Sequence, residues 1–268
     1  MGSVYMRSGD VLLKHARGDR DVFGREFHQF NEIFFLVGGA ARFTSDRLIE
    51  RITPGTLVLV PKERFHQFEP EGGEEDYHRV VLQFERPEWL GALTGEVMDG
   101  VRVLREPSPE TLAILRRFET LDASVYSEDE KKLLLRALFV ELLLRLKYGR
   151  GDAEPGGGEL DSAVAEMLLF ISEHYLERIT IRSIAESLSF SESYVSHRFK
   201  EVMRIPIYDY ILKKKLTHAY GLIKSGTPAA EAAGVCGFAD YSGFYKAYRR
   251  YFGASPSGRQ RLSAAPYR

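Results

Sequence analysis

The sequence predicts two domains, an N-terminal all-β barrel followed by a helical segment and a C-terminal all-α unit, and three observations carry that prediction. Residues 28–84 fall into short apolar runs separated by turn signals. Residues 149–158 are rich in glycine, and everything after them has helical texture with two breaks that look alike.

In the N-terminal half the runs are 33–37, 41–43, 48–52, 57–60 and 80–84, punctuated by Gly38-Gly39, Pro54-Gly55 and Pro61. Strands of that length at that spacing build a sandwich or a barrel, because each run crosses one sheet and each Gly or Pro reverses the chain. His78, beside Tyr77, reads as a strand residue. A less regular segment follows. From Glu128 to Tyr148 one amphipathic helix is expected, since Leu134, Leu135, Leu138, Phe139, Leu142 and Leu146 recur at helical spacing. Leu133, Leu143 and Leu144 widen its apolar face beyond what one small β face needs, so the helix is read as packing on the β unit, joining a second copy in a homodimer, or both.

The stretch GRGDAEPGGG at 149–158 reads as a flexible linker between a domain at 1–148 and a domain at 159–268. Charge divides at the same place. Residues 1–158 hold 22 Lys/Arg against 27 Asp/Glu, whereas 193–268 hold 13 basic residues against 4 acidic ones, so the formal net charge of −1 hides a basic module suited to a polyanion. A single cysteine, Cys236, excludes an internal disulfide framework. The N-terminus MGSVYMRSGD lacks the apolar stretch of a secretory signal, and Arg136, Glu141 and Arg145 interrupt the most apolar segment, so a cytoplasmic chain with no membrane span is expected.

Beyond the linker, helices are expected at 160–175, 181–188, 192–202, 207–223, 229–235 and 241–252. The second and third form a helix-turn-helix: Ile181, Ile184 and Leu188 point inward, Ala185 sits at a close crossing, and Ser191 caps the next helix. In that helix Tyr194, Val195 and Phe199 make the buried stripe, while Ser193, Ser196, His197 and Lys200 project outward. The last two helices repeat the plan, with Phe244 and Tyr248 inward and Tyr241, Ser242, Tyr245 and Lys246 outward; Phe190 and Phe238 hold equivalent turn positions. The connecting helix buries Tyr208, Ile211, Leu212, Leu216, Ala219, Leu222 and Ile223, and holds the two units at a separation suited to successive major grooves, about 34 Å. Lys200, Lys213, Lys214, Lys215, Arg249 and Arg250 are read as phosphate contacts on double-stranded DNA.

The motifs HYLERITIRSIAESLSFSESYVSHRFKEV and GFADYSGFYKAYRRYFGASP resemble, in order and spacing, the DNA-binding module of AraC/XylS-type regulators. That resemblance implies that Ser193, Ser196 and His197, with Tyr241, Ser242, Tyr245 and Lys246, face bases, and that the chain regulates transcription, with RNA polymerase among its partners and activation as one mode. The sequence departs from the family at Ala229, Ala232, Gly234, Arg204 (a usual glycine) and Arg259 (a usual aromatic).

The N-terminal half is similar to the cupin sensor domain of the same family through His28-Gln-Phe-Asn-Glu32, Gly38-Gly39, Pro54-Gly55 and the segment from Pro61 to His66. The resemblance implies a small-molecule effector, a sugar or polyol, held by His28, Glu32 and His66. Metal-binding cupins carry a second histidine where Phe30 stands, so the expectation is a sensor without cofactor and without enzymatic activity. The alternative is a metal-dependent cupin enzyme fused to a DNA-binding module, with His28, Glu32 and His66 as ligands.

Overall fold

The computed structural model describes residues 4–18, 27–73, 76–85, 90–149 and 160–256. The chain separates into two units, Met1–Leu160 and Asp161–Arg268. Of the expected linker, all but Gly149 lies outside the described residues, as does Arg259.

The N-terminal unit has nine strands and three helices among its described residues: β1 Val4–Ser8, β2 Val11–Arg17, β3 Asn31–Gly38, β4 Ala40–Ser45, β5 Ile49–Ile52, β6 Leu57–Val60, β7 His66–Glu71, β8 His78–Phe84, α1 Leu93–Val97, β9 Arg102–Leu104, α2 Pro109–Thr120 and α3 Glu128–Tyr148. Six strands form one sheet in the order β1-β2-β8-β3-β6-β9, and three form another in the order β5-β4-β7. The two sheets are cupin-like, as expected, and pack face to face; among the described residues no ladder joins their edges.

The run from Ile33 to Leu36 does not alternate apolar with polar because both faces of β3 are covered. Ile33 and Phe35 join Leu57, Leu59, Val80, Leu82 and Phe84 in a core with helix residues Leu115, Phe118, Leu138, Phe139 and Leu142. Phe34 and Leu36 face the other way, into a core shared with Phe43, Ile52 and Phe68 of the smaller sheet. Phe34 and Phe68 stack across the gap with ring centroids 3.8 Å apart. Helices, large sheet and small sheet thus make three layers, and every side chain on the Glu32–Phe34–Leu36 face of β3 points between the sheets.

Local chemistry sets the helix starts. Ser108 accepts the Thr111 N–H at 3.2 Å, with Pro109 at the first helical position of α2. Ser127 and Glu130 form a reciprocal capping box at α3, the Glu130 carboxylate accepting the Ser127 N–H at 2.8 Å. At the β3–β4 corner, Gly39 has φ +78, and a Cβ there would stand 2.9 Å from the Asp76 carbonyl oxygen, so only glycine fits.

The C-terminal unit contains α4 Ser162–His174, α5 Ile181–Leu188, α6 Glu192–Met203, α7 Ile207–Lys224, α8 Ala229–Val235 and α9 Tyr241–Phe252. Helix α4 packs on α5 and α6, and α7 packs on α6, α8 and α9. The second half is built around Leu216, Ala219, Ala232, Ala233, Cys236, Phe244 and Tyr248. Two expected core positions are corrected: Tyr194 is 42% exposed and Tyr208 66% exposed, while Tyr210, on the inward face of α7, is the buried tyrosine. Tyr194 instead covers Phe190 at the turn, ring centroids 5.0 Å apart.

Candidate nucleic-acid interface and sensor site

Both helix-turn-helix turns are Schellman motifs. Ser189 (φ 58) and Gly237 (φ 68) take the left-handed conformation after α5 and α8. The N–H groups of the next residues, Phe190 and Phe238, then reach back to the carbonyls of Ala185 and Ala233. Ser191 and Asp240 next cap α6 and α9, accepting the N–H of Tyr194 at 3.2 Å and of Gly243 at 2.7 Å. The first turn of each second helix is thereby fixed before any side chain meets DNA.

From these platforms Ser193, His197 and Lys200 stand exposed on α6, with Ser196 half-buried between them. On α9 Tyr241, Ser242 and Lys246 are exposed and Tyr245 is half-buried, the Tyr241 and Tyr245 rings lying 6.3 Å apart. Spacing of three and four residues puts each set on one face, the disposition by which a recognition helix offers side chains to base edges. Arg249 and Arg250 are exposed at the far end of α9. Lys213 and Lys214 are half-buried, their ammonium groups over the rings of Tyr251 and Tyr175 at 5.6 and 5.0 Å.

Lys215 is not a phosphate contact. It is buried, and its ammonium donates to the carbonyls of Glu177 at 2.8 Å and Gly237 at 3.2 Å. Burial also lowers its pKa. The side chain ties α7 to the loop after α4 and to the second turn. Sequence spacing gave three adjacent lysines and no means to tell which one turned inward. Arg198 is a residue the motif did not bring out: it binds Asp161, the N-cap of α4, at 2.5 Å, and Glu201 at 2.9 Å, and so braces α6 from behind.

Between the two sheets, Glu32 is 6% exposed and His66 2% exposed. Nε2 of His28 stands 3.4 Å from one Glu32 oxygen and Nε2 of His66 3.5 Å from the other. Their Nδ1 atoms face backbone carbonyls, Phe30 at 2.8 Å and Arg64 at 3.2 Å, which fixes both rings with Nε2 toward the carboxylate. Gln83 donates to Glu32 at 2.8 Å from β8. Burial alone would raise the Glu32 pKa, but the hydrogen bonds and charges of His28 and His66 outweigh it and hold the carboxyl well below its usual range, hence ionised. The sequence-expected trio therefore comes together, with Gln83 as the partner that its position on β8 alone did not reveal. Their ligand atoms lie within 4.8 Å of one another, and two imidazoles with a carboxylate are also a donor set for a divalent transition metal.

A pair of cupin-like sheets and a unit with two helix-turn-helix motifs define a class, the two-domain DNA-binding regulators. The AraC-like ligand binding domain family matches residues 8–143, and the Helix-turn-helix domain family matches residues 184–261. The chain belongs to the AraC family of transcription regulators, with a ligand-binding and a DNA-binding domain. It is similar to the uncharacterized HTH-type transcriptional regulator YdiP of Escherichia coli K12, 27% identical over 255 residues that cover 86% of this chain and 78% of that one. It is also similar to the melibiose operon regulatory protein of Escherichia coli K12, 31% identical over 37% of this chain and 33% of that protein. Among solved structures, ToxT of Vibrio cholerae O395 aligns over 95% of this chain and 94% of that chain at 14% identity, with a TM-score of 0.40. Among the described residues no helix is long and apolar enough to cross a membrane.

Proposed function

We propose that this regulator works as a homodimer on promoter DNA and that its occupancy is set by a small polyhydroxylated effector, a sugar or related polyol, held at His28, Glu32 and His66. The observation that carries the reading is the buried Glu32 carboxylate flanked by two imidazoles locked with Nε2 inward. A carboxylate accepts from hydroxyl hydrogens, and imidazole nitrogens exchange further hydrogen bonds with the same hydroxyls, so vicinal diols match the group. The melibiose operon regulatory protein, similar over 37% of this chain, is named for a sugar as well. Ser193, Ser196, His197, Tyr241, Ser242, Tyr245 and Lys246 read bases in this proposal, while Lys200, Lys213, Lys214, Arg249 and Arg250 hold phosphates. A second copy docks on α3, where Leu133, Leu144 and Tyr148 are exposed on the side away from the core. Activation follows when the bound dimer contacts RNA polymerase.

The effector changes promoter occupancy only to the extent that it binds one conformation better than the other. The test is a panel of sugars and polyols titrated into the full chain, read by calorimetry and by promoter affinity. One member is expected to bind and to shift promoter affinity at least fivefold, and Glu32→Gln is expected to abolish that shift while leaving basal DNA binding in place. An unaltered response in Glu32→Gln contradicts the site.

A metal-dependent enzyme is a second reading, favoured by the convergence of the three ligand atoms. Its signature is stoichiometric iron, manganese or zinc in protein purified without chelator, lost on replacing His66, together with turnover of a small substrate.

A further inference from the structure

On the opposite face of the large sheet from Glu32, a second group of ligating side chains converges beneath α2. His15 on β2 and His78 on β8 belong to hydrogen-bonded neighbouring strands and point toward the helical layer, as Leu13 and Val80 do. Their Nε2 atoms face each other at 2.5 Å. Glu119, in the last turn of α2, brings a carboxylate oxygen 3.8 Å from the same nitrogen of His78, and the three ligand atoms lie within 4.8 Å of one another.

We propose that His15, His78 and Glu119 bind a divalent transition-metal ion that clips the end of α2 to the sheet. The proposal is independent of the effector reading. The spacing supports it. Ligand atoms around a tetrahedral zinc, at bonds of about 2.1 Å, stand about 3.4 Å apart. The observed 2.5 and 3.8 Å straddle that value, so an ion seats after shifts of an ångström or less in side chains. The surroundings also match. Nδ1 of His15 faces the Asp122 carboxylate at 3.8 Å, close enough that a small side-chain shift would let Asp122 accept its proton and orient a metal-bound histidine. His15, Glu119 and Asp122 keep 21%, 26% and 29% of their side-chain surface, so solvent reaches the group. One contact opposes the arrangement: Arg17 reaches Nδ1 of His78 at 3.4 Å and only donates, so it must swing away when that nitrogen carries the proton. Arg17 is exposed, and the bond is long.

Because the His28–Glu32–His66 group offers a competing donor set, the test begins with the full chain carrying His66→Gln, stripped with chelator and titrated with cobalt(II). The expected result is saturable binding of about one equivalent with the visible absorption of a nitrogen-ligated ion. Adding Glu119→Gln or His15→Gln is expected to weaken it at least tenfold with an unchanged circular dichroism spectrum. If His66→Gln unfolds the chain, Glu32→Gln removes the competing set instead. No saturable binding in the folded background, or double variants that bind as tightly as that background, overturns the proposal.

Discussion

Phe190 and Phe238 hold the same place in two turns: each donates its N–H to the residue five before it, Ala185 at 2.9 Å and Ala233 at 3.1 Å, directly after a left-handed residue. That residue is Ser189 in the first turn and Gly237 in the second. The two positions respond oppositely to exchange. Ser189→Gly relieves a left-handed side chain and is expected to stabilise the C-terminal unit by about 0.5 kcal/mol. Gly237→Ala places a Cβ 2.3 Å from the Leu176 carbonyl oxygen and 2.9 Å from the Lys215 ammonium, and is expected to cost about 2 kcal/mol or more. Urea unfolding followed by far-ultraviolet circular dichroism measures both.

Neighbouring lysines on α7 separate in the same way. Lys214→Ala is expected to leave the urea midpoint in place and to flatten the salt dependence of DNA affinity, reducing the slope of log K against log salt by about 0.9. Lys215→Met removes the donor to the carbonyls of Glu177 and Gly237 and is expected to lower the midpoint itself. Equal salt slopes in wild type and Lys214→Ala count against the phosphate role.

The C-terminal unit is expected to lose stability in acid through Asp161. The hydrogen bond from Arg198 holds its folded pKa below the ordinary 3.8, despite some burial acting the other way. A depressed carboxyl pKa contributes stability that is complete above about pH 4 and disappears as pH falls through the folded value. Asp161→Asn is expected to lower the urea midpoint at pH 7 and to shrink the further loss between pH 5 and pH 3. Parallel pH profiles for the two proteins contradict the assignment.

Sequence pattern located the C-terminal unit closely, since α5, α8 and α9 begin and end where periodicity and caps place them. Caps are local chemistry, and Ser191 and Asp240 announce themselves. Rotation about a helix is less legible: Tyr194 and Tyr208 look apolar enough to bury, and only packing shows that Tyr210 takes the inward place. In the N-terminal unit α2 carries a local signal, for Ser108-Pro109 is a helix start and Thr111, Ile114, Leu115 and Phe118 follow one face. Strand β7, with His66, Gln67 and Glu69, carries too few apolar residues to stand out. The trio of His28, Glu32 and His66 was recoverable from motif order, whereas Gln83 and the His15–His78 pair depend on strand register, which no single run of sequence contains.

Base reading and phosphate holding predict different losses. His197→Ala and Lys246→Ala are expected to relax preference at particular base pairs, each worth about 1–3 kcal/mol of discrimination, while Arg249→Ala weakens all duplexes alike. Competition binding against single-substitution sites distinguishes the two patterns.

The most direct measurement is selection of duplexes from a random pool by the full chain at fixed salt. Two presented helices predict an enriched site with a pair of short conserved blocks about 10 base pairs apart, the second block vanishing when Tyr241, Ser242 and Lys246 are all replaced by alanine. A folded protein that enriches no sequence, or a site unchanged by that triple replacement, contradicts the account.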